Sequence, residues 1–184
     1  MKRHPSLDDR FDPAVRIVEP DPAWPARAAA ELLRIGQALG AVAVRLEHIG
    51  STAVPGLAAK PIVDLQLSLD SLGTPEYWVA PLERLGYLYA WAPESPDRHF
   101  FAKPPERPRS FHLHVCAAGG REELRHLAVR DFLRAHPGEA ARYAALKQEL
   151  VARHPEDRLA YIAGKEEHMA ALEARGLAWA RPRD

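Results

Sequence analysis

The chain has 184 residues, 47% of them hydrophobic and 27% charged, with 25 basic against 25 acidic side chains and a pI near 7.1. That length suits one domain able to bury roughly 70% of its unfolded surface, which excludes wholesale disorder, and the neutral balance argues against a nonspecific nucleic-acid binder or a polybasic membrane protein. A lone Cys116 has no intrachain partner, so a disulfide framework is excluded and a reduced, cytoplasmic setting is expected.

Lys2 and Arg3 are followed by polar residues rather than an apolar leader, and residues 1–13 are expected to form a loose arm before one domain over residues 14–184. Val15 to Val18 suits a short strand. From Trp24 to Leu39 the spacing of Ala28, Leu32, Ile35 and Leu39 predicts an amphipathic helix that Gly40 ends. Val42, Val44 and Leu46 alternate with Ala43, Arg45 and Glu47, which predicts a half-buried strand. A second strand is expected from Ile62 to Leu69, with the leucines on one face and Asp64, Gln66 and Ser68 on the other. A helix over Pro75 to Leu85 and strands over Tyr87 to Trp91, Arg98 to Ala102 and Ser110 to Cys116 follow. Beyond Gly119-Gly120 three apolar stripes at helical spacing, including Leu124, Leu159 and Ile162, are broken at His136-Pro137 and His154-Pro155. The fold class is therefore α/β or α+β: a small mixed sheet flanked by helices, with a helical C-terminal third.

The stretch from Glu47 to Asp64 carries the most chemistry. A strand that ends in Gly50-Ser51-Thr52 gathers backbone N–H groups and two hydroxyls at one bend, suited to a phosphate, with Lys60 adding charge. The same residues also suit an ordinary helix cap and turn. Asp64 alternates with core leucines, so its carboxylate needs a partner, a metal or an open cleft. His112 and His114 share one strand face. With Asp64 and His48 they suit a divalent metal such as Zn²⁺ or Mn²⁺; they equally suit phosphate binding or a buried network without metal. Arg98 and Lys103, at the ends of one strand, are candidate phosphate-facing cations, and Arg107 and Arg109 suit a solvated loop. Walker A, dinucleotide-fingerprint, nucleophile-elbow and zincin patterns do not occur.

The block from His48 to Asp64 resembles the hallmark of the GrpB family, bacterial proteins also found fused to dephospho-coenzyme A kinase. Further landmarks occur in the expected order: Asp21 to Pro25, Gly86-Tyr87, Arg98 to Phe101, His112 to Val115, Leu127 to Pro137 and Tyr143 to Lys147. The resemblance implies a nucleotidyltransferase-like fold in which Gly50-Ser51 matches the glycine-serine signature and Asp64 the first metal carboxylate. Gln66 stands where an active member carries a second carboxylate, and the later strand offers His112 and His114 instead of a third.

The expected function is binding of a nucleotide or another phosphorylated small molecule. Gly50, Ser51 and Thr52 would cradle phosphate, Lys60, Arg98 and Lys103 would neutralise it, and Asp64, His112, His114 and His48 would hold a Mg²⁺, Mn²⁺ or Zn²⁺ ion. Catalysis, if present, would be metal-dependent nucleotidyl or phosphoryl transfer with Asp64 as the catalytic carboxylate. The alternative is a noncatalytic binding or accessory module linked to coenzyme A metabolism.

Overall fold

The computed structural model describes residues 15–90, 97–104 and 108–181. The N-terminal arm, the end of the expected strand at Trp91 and the loop cation Arg107 lie outside the described residues. Val15 to Val18 contributes one antiparallel bridge, Val18 to Ala59, instead of a strand. Helix α1 (Trp24–Leu39) starts behind Asp21, whose carboxylate accepts the Ala23 N–H at 2.8 Å. It buries Trp24, Ala28, Ile35 and Leu39 and stops at Gly40, where φ is 55°.

Five strands follow: β1 (Arg45–Ile49), β2 (Val63–Leu69), β3 (Leu88–Ala90), β4 (Arg98–Lys103) and β5 (Phe111–Ala117). They form one sheet in the order β1-β2-β5-β4-β3, in which the β2–β5 pair is parallel and the other pairs are antiparallel. The first strand begins later than its alternation predicts. Gly40–Val42 is a 3-10 turn, and Val42 and Val44 are 39% and 49% exposed. Arg45 pairs with Ser68, one residue from the end of β2, so Val42 and Val44 lie at the margin of the sheet while Ala43 packs against the core. The helix expected over Pro75 to Leu85 divides into a 3-10 turn (Pro75–Tyr77) and α2 (Val79–Arg84).

One sheet face is apolar. Val63, Leu65, Leu67 and Leu69 of β2, Leu113 and Val115 of β5 and Phe101 of β4 pack with Trp24, Ile35, Trp78 and Leu82. Each such buried side chain contributes about 1.5–3 kcal/mol of transfer free energy. The opposite face carries Asp64, Gln66 and Ser68 beside His112, His114 and Cys116, because side chains alternate along paired strands.

Helix α3 (Arg121–Ala135) crosses this second face. It seals Gln66, Ser68 and Cys116 from solvent and reaches β1, where the Arg130 guanidinium donates to Glu47 at 2.6 Å and to the His48 carbonyl at 3.0 Å. Arg134 donates to the Ala53 carbonyl at 2.9 Å. The Asp64 end of the face is left for α4 (Pro137–Arg153), α5 (Arg158–Ala163) and α6 (Glu166–Trp179) to enclose. The breaks fall at His136 and His154, each outside the helical region before its proline, with ψ of 79° and 62°. Leu124 and Leu159 were expected on buried stripes, yet they are 51% and 56% exposed, and Glu123 of α3 and Tyr161 of α5 are buried in their stead. No helix among the described residues is long and apolar enough to cross a membrane.

Candidate functional site

The parallel register sets Asp64 opposite His112 and Gln66 opposite His114, so Asp64 stands beside both imidazoles. Oδ1 of Asp64 lies 3.3 Å from His112 Nδ1 and 3.8 Å from His114 Nε2. Arg98 donates to His114 Nδ1 at 3.0 Å, which leaves the proton of that ring on Nε2, facing the carboxylate. Burial pushes the Asp64 carboxyl up, but the hydrogen bonds from His112 and His114 outweigh it and hold the group below the ordinary carboxylate range. Burial holds His112 down to about 4 despite Asp64, and lowers His114 as well. At neutral pH the trio is one carboxylate oriented by two neutral imidazoles.

Gln66 is turned away from Asp64. Its Oε1 accepts from His126 Nδ1 at 2.7 Å and its amide nitrogen donates toward Ser68. Arg125 donates to the other nitrogen of His126 at 3.2 Å. Burial, with His114 and Arg125 adding repulsion, brings His126 down to about 2, so this imidazole stays neutral.

Asp64 opens onto two adjoining hollows that share Gly50, Ser51, Tyr143 and Lys165. The smaller, about 180 Å³, is lined by Lys60, Lys147 and Lys165 together with Ser51, Thr52, Tyr143 and Tyr161. Lys147, 2% exposed, rises from α4 to donate to Ser51 Oγ at 3.2 Å and to the Ala58 carbonyl. Its ammonium also lies 4.6 Å from the Tyr143 ring centroid, and that of Lys165 lies 4.5 Å from the Tyr161 ring. Burial, then repulsion from Lys165 and Lys60, lowers Lys147 to about 7. Burial and Lys60 likewise lower Lys165 to about 8. Asp64 is the one carboxylate among the described residues that line this hollow.

The larger hollow, about 470 Å³, combines the apolar side chains Val129, Leu133, Ile162 and Met169 with Arg98, Arg125 and Arg130. Its arginines are matched by carboxylates: Arg125 by Glu122 and Glu173, Arg130 by Glu47 and Asp131, and Arg98 by Glu122 at 3.5 Å.

Of the residues singled out in the sequence, Gly50, Ser51, Thr52, Lys60, Asp64, Arg98, His112 and His114 therefore meet at or beside this cleft. Two do not join them. Lys103 sits on the apolar side of the sheet, where it pairs with the buried Glu31 at 2.6 Å and lies over the Tyr87 and Phe111 rings. His48 pairs in register with Leu65, on the side of β1 away from Asp64, and bonds Thr52 Oγ1 at 2.9 Å. Burial lowers it to about 4. Arg109 is buried instead of solvated. The sequence reading places neither Lys147 nor Lys165 among the site residues; the one available signal is Lys147 at the end of the Tyr143 landmark.

A metal ion was expected on Asp64, His112, His114 and His48. The donor set does not fit one as arranged: the imidazole N–H groups of His112 and His114 face Asp64, His114 Nδ1 is occupied by Arg98, and His48 is elsewhere. Among the described residues no group of three or more His, Cys, Asp or Glu side chains is placed to hold a metal.

Comparison with known proteins places these features in a wider group. The model of the GrpB family, described as GrpB protein, matches residues 14–175. UPF0157 protein PA4798 of Pseudomonas aeruginosa is 43% identical over 173 residues, covering 92% of this chain and 71% of that protein. A dephospho-CoA kinase of Mycolicibacterium paratuberculosis is 32% identical over 192 residues, covering 90% of this chain but 47% of the kinase, so the chain spans about half that relative's length. The crystal structure of conserved protein GrpB from Enterococcus faecalis superposes with a TM-score of 0.83 at 33% identity, covering 89% of this chain and 98% of that one.

Proposed function

From the GrpB family, to which this chain belongs, we propose a protein that binds a nucleotide or another phosphate-bearing small molecule in the Asp64 cleft and transfers no group. The observation that carries the reading is the convergence of Lys60, Lys147 and Lys165 on a hollow of about 180 Å³ beside Ser51. Crowded lysines depress one another and cost stability, and a phosphate is the kind of ligand that relieves both effects through charge-assisted hydrogen bonds. The adjoining 470 Å³ is in the usual range of about 300–1,000 Å³ for small-molecule sites, and its apolar wall suits the organic part of such a ligand.

Binding without transfer follows from Gln66. Two-metal phosphoryl chemistry needs carboxylates that neutralise paired cations, whereas Gln66 is neutral, sealed from solvent and engaged with His126. The match to a segment of a dephospho-CoA kinase makes coenzyme A precursors natural members of the ligand panel. Calorimetric titration with nucleotides and coenzyme A precursors, alongside turnover of a labelled triphosphate, tests the reading. Saturable binding lost in Lys165→Met and unaccompanied by turnover supports it; turnover that requires Asp64 replaces it with an enzyme.

A further inference from the structure

Resting on that phosphate-binding reading, we infer that the cleft takes a phosphate monoester carrying free hydroxyls, its phosphate among Lys60, Lys147 and Lys165 and a hydroxyl on Asp64, in preference to a polyphosphate. The argument is the distribution of charge along the cleft. Among the described residues neither Lys147 nor Lys165 has a carboxylate at ion-pair distance, whereas Arg98, Arg125 and Arg130 in the larger hollow each meet one. The positive charge still to be matched therefore centres on the hollow of about 180 Å³ that both lysines line, with Lys165 also bordering the larger one. A terminal phosphate belongs there.

Asp64 borders both hollows and sets what comes next. An ionised carboxylate accepts hydrogen bonds and donates none. Its Oδ1 faces His112 and His114, while Oδ2 lies against Gly50. The acceptor capacity left over calls for a donor, which a sugar or polyol hydroxyl supplies. A second and third phosphate would instead pass the Asp64 carboxylate and reach arginines that already meet Glu122, Glu173, Glu47 and Asp131. Val129, Leu133, Ile162 and Met169 then face the remainder of the ligand.

Isothermal titration in metal-free buffer with inorganic phosphate, ribose 5-phosphate, AMP and ATP tests the inference on the full chain. Ribose 5-phosphate and AMP are expected to bind at least tenfold tighter than inorganic phosphate, and AMP tighter than ATP. Lys165→Met should weaken all the probes about tenfold or more; because Lys165 is half-buried, it complements the fully buried Lys147→Met, which is open to folding effects. Asp64→Asn should weaken ribose 5-phosphate about tenfold while tightening inorganic phosphate. If inorganic phosphate binds and needs Lys165, but ATP exceeds AMP or Asp64→Asn spares ribose 5-phosphate, the monoester assignment is overturned and the phosphate-binding reading stands. If the probes do not bind, or bind equally to Lys165→Met and Lys147→Met, both are overturned.

Discussion

Gly50 and Asp64 are fitted to each other: a Cβ added at Gly50 would lie 2.6 Å from Oδ2 of Asp64 and 2.9 Å from its Cβ. The glycine also has φ 70° and ψ −169°, a region that residues with a Cβ hardly enter. The bend after β1 thus exists in this form because the residue has no side chain, and it brings Ser51 into the same cleft as the carboxylate.

Gly50→Ala combines that backbone strain, about 1–3 kcal/mol, with a clash against a rigid strand residue. Thermal unfolding should show a loss of at least that size, and phosphate binding should weaken together with stability. A variant as stable as the parent would mean that the bend rearranges freely.

Acid should destabilise the fold in a defined window. His112 and His48 are held near 4 by burial, against about 6.5 in an unfolded chain, so between those values the unfolded state binds more protons. Stability is fully present above pH 6.5 and falls as the pH drops toward 4. Asp64, lowered by its imidazoles, adds a loss of the same sign at still lower pH. Denaturant unfolding from pH 7.5 to 4 measures the slope, and His112→Gln should flatten it; a slope that the variant leaves unchanged would contradict the assignment.

Binding of phosphate should draw in protons. Lys147 and Lys165 are held near 7 and 8 by burial and by their neighbouring cations, with Asp64 opposing and Tyr143 and Tyr161 uncharged. An anion favours the ammonium form of both lysines. Phosphate affinity should therefore fall as the pH rises above about 8, and the binding heat near pH 8 should change between buffers of different ionisation enthalpy. Equal heats in such buffers would show that the lysines are already fully charged.

The periodicity of the chain reveals much of this site and hides part of it. Asp64 between core leucines, and His112 and His114 on one strand face, are visible from two-residue alternation alone, and their meeting needs only the parallel pairing of β2 with β5. The edges of the sheet are less visible, since Val42 and Val44 alternate correctly where there is no surface to bury them. Lys103 sits at a strand end like Arg98, but the Glu31 partner that claims it comes from α1, a pairing that local pattern does not encode. Lys147 on α4 and Lys165 in the turn between α5 and α6 line the hollow with Ser51 and Asp64 from about a hundred residues further along. On a helical wheel they are charges like any other; burial by α4, α5 and the 51–59 segment is what makes them a pocket.

Gln66→Glu restores a carboxylate to the position where the family resemblance leads one to expect a metal ligand. Gln66 is sealed beneath α3 and bonded to His126, so the new charge is buried against a neutral imidazole. The variant should lose about 1–3 kcal/mol of stability and gain no Mg²⁺ affinity by calorimetry. Metal-dependent triphosphate turnover in this variant would show that the site is one substitution from transfer chemistry.

A crystal structure of the protein grown with ribose 5-phosphate tests the central claim most directly. The phosphate should lie within hydrogen-bonding distance of Lys147 and Lys165 beside Ser51, with a sugar hydroxyl on Asp64. Phosphate bound instead among Arg98, Arg125 and Arg130, with the lysine hollow filled by water, would contradict it.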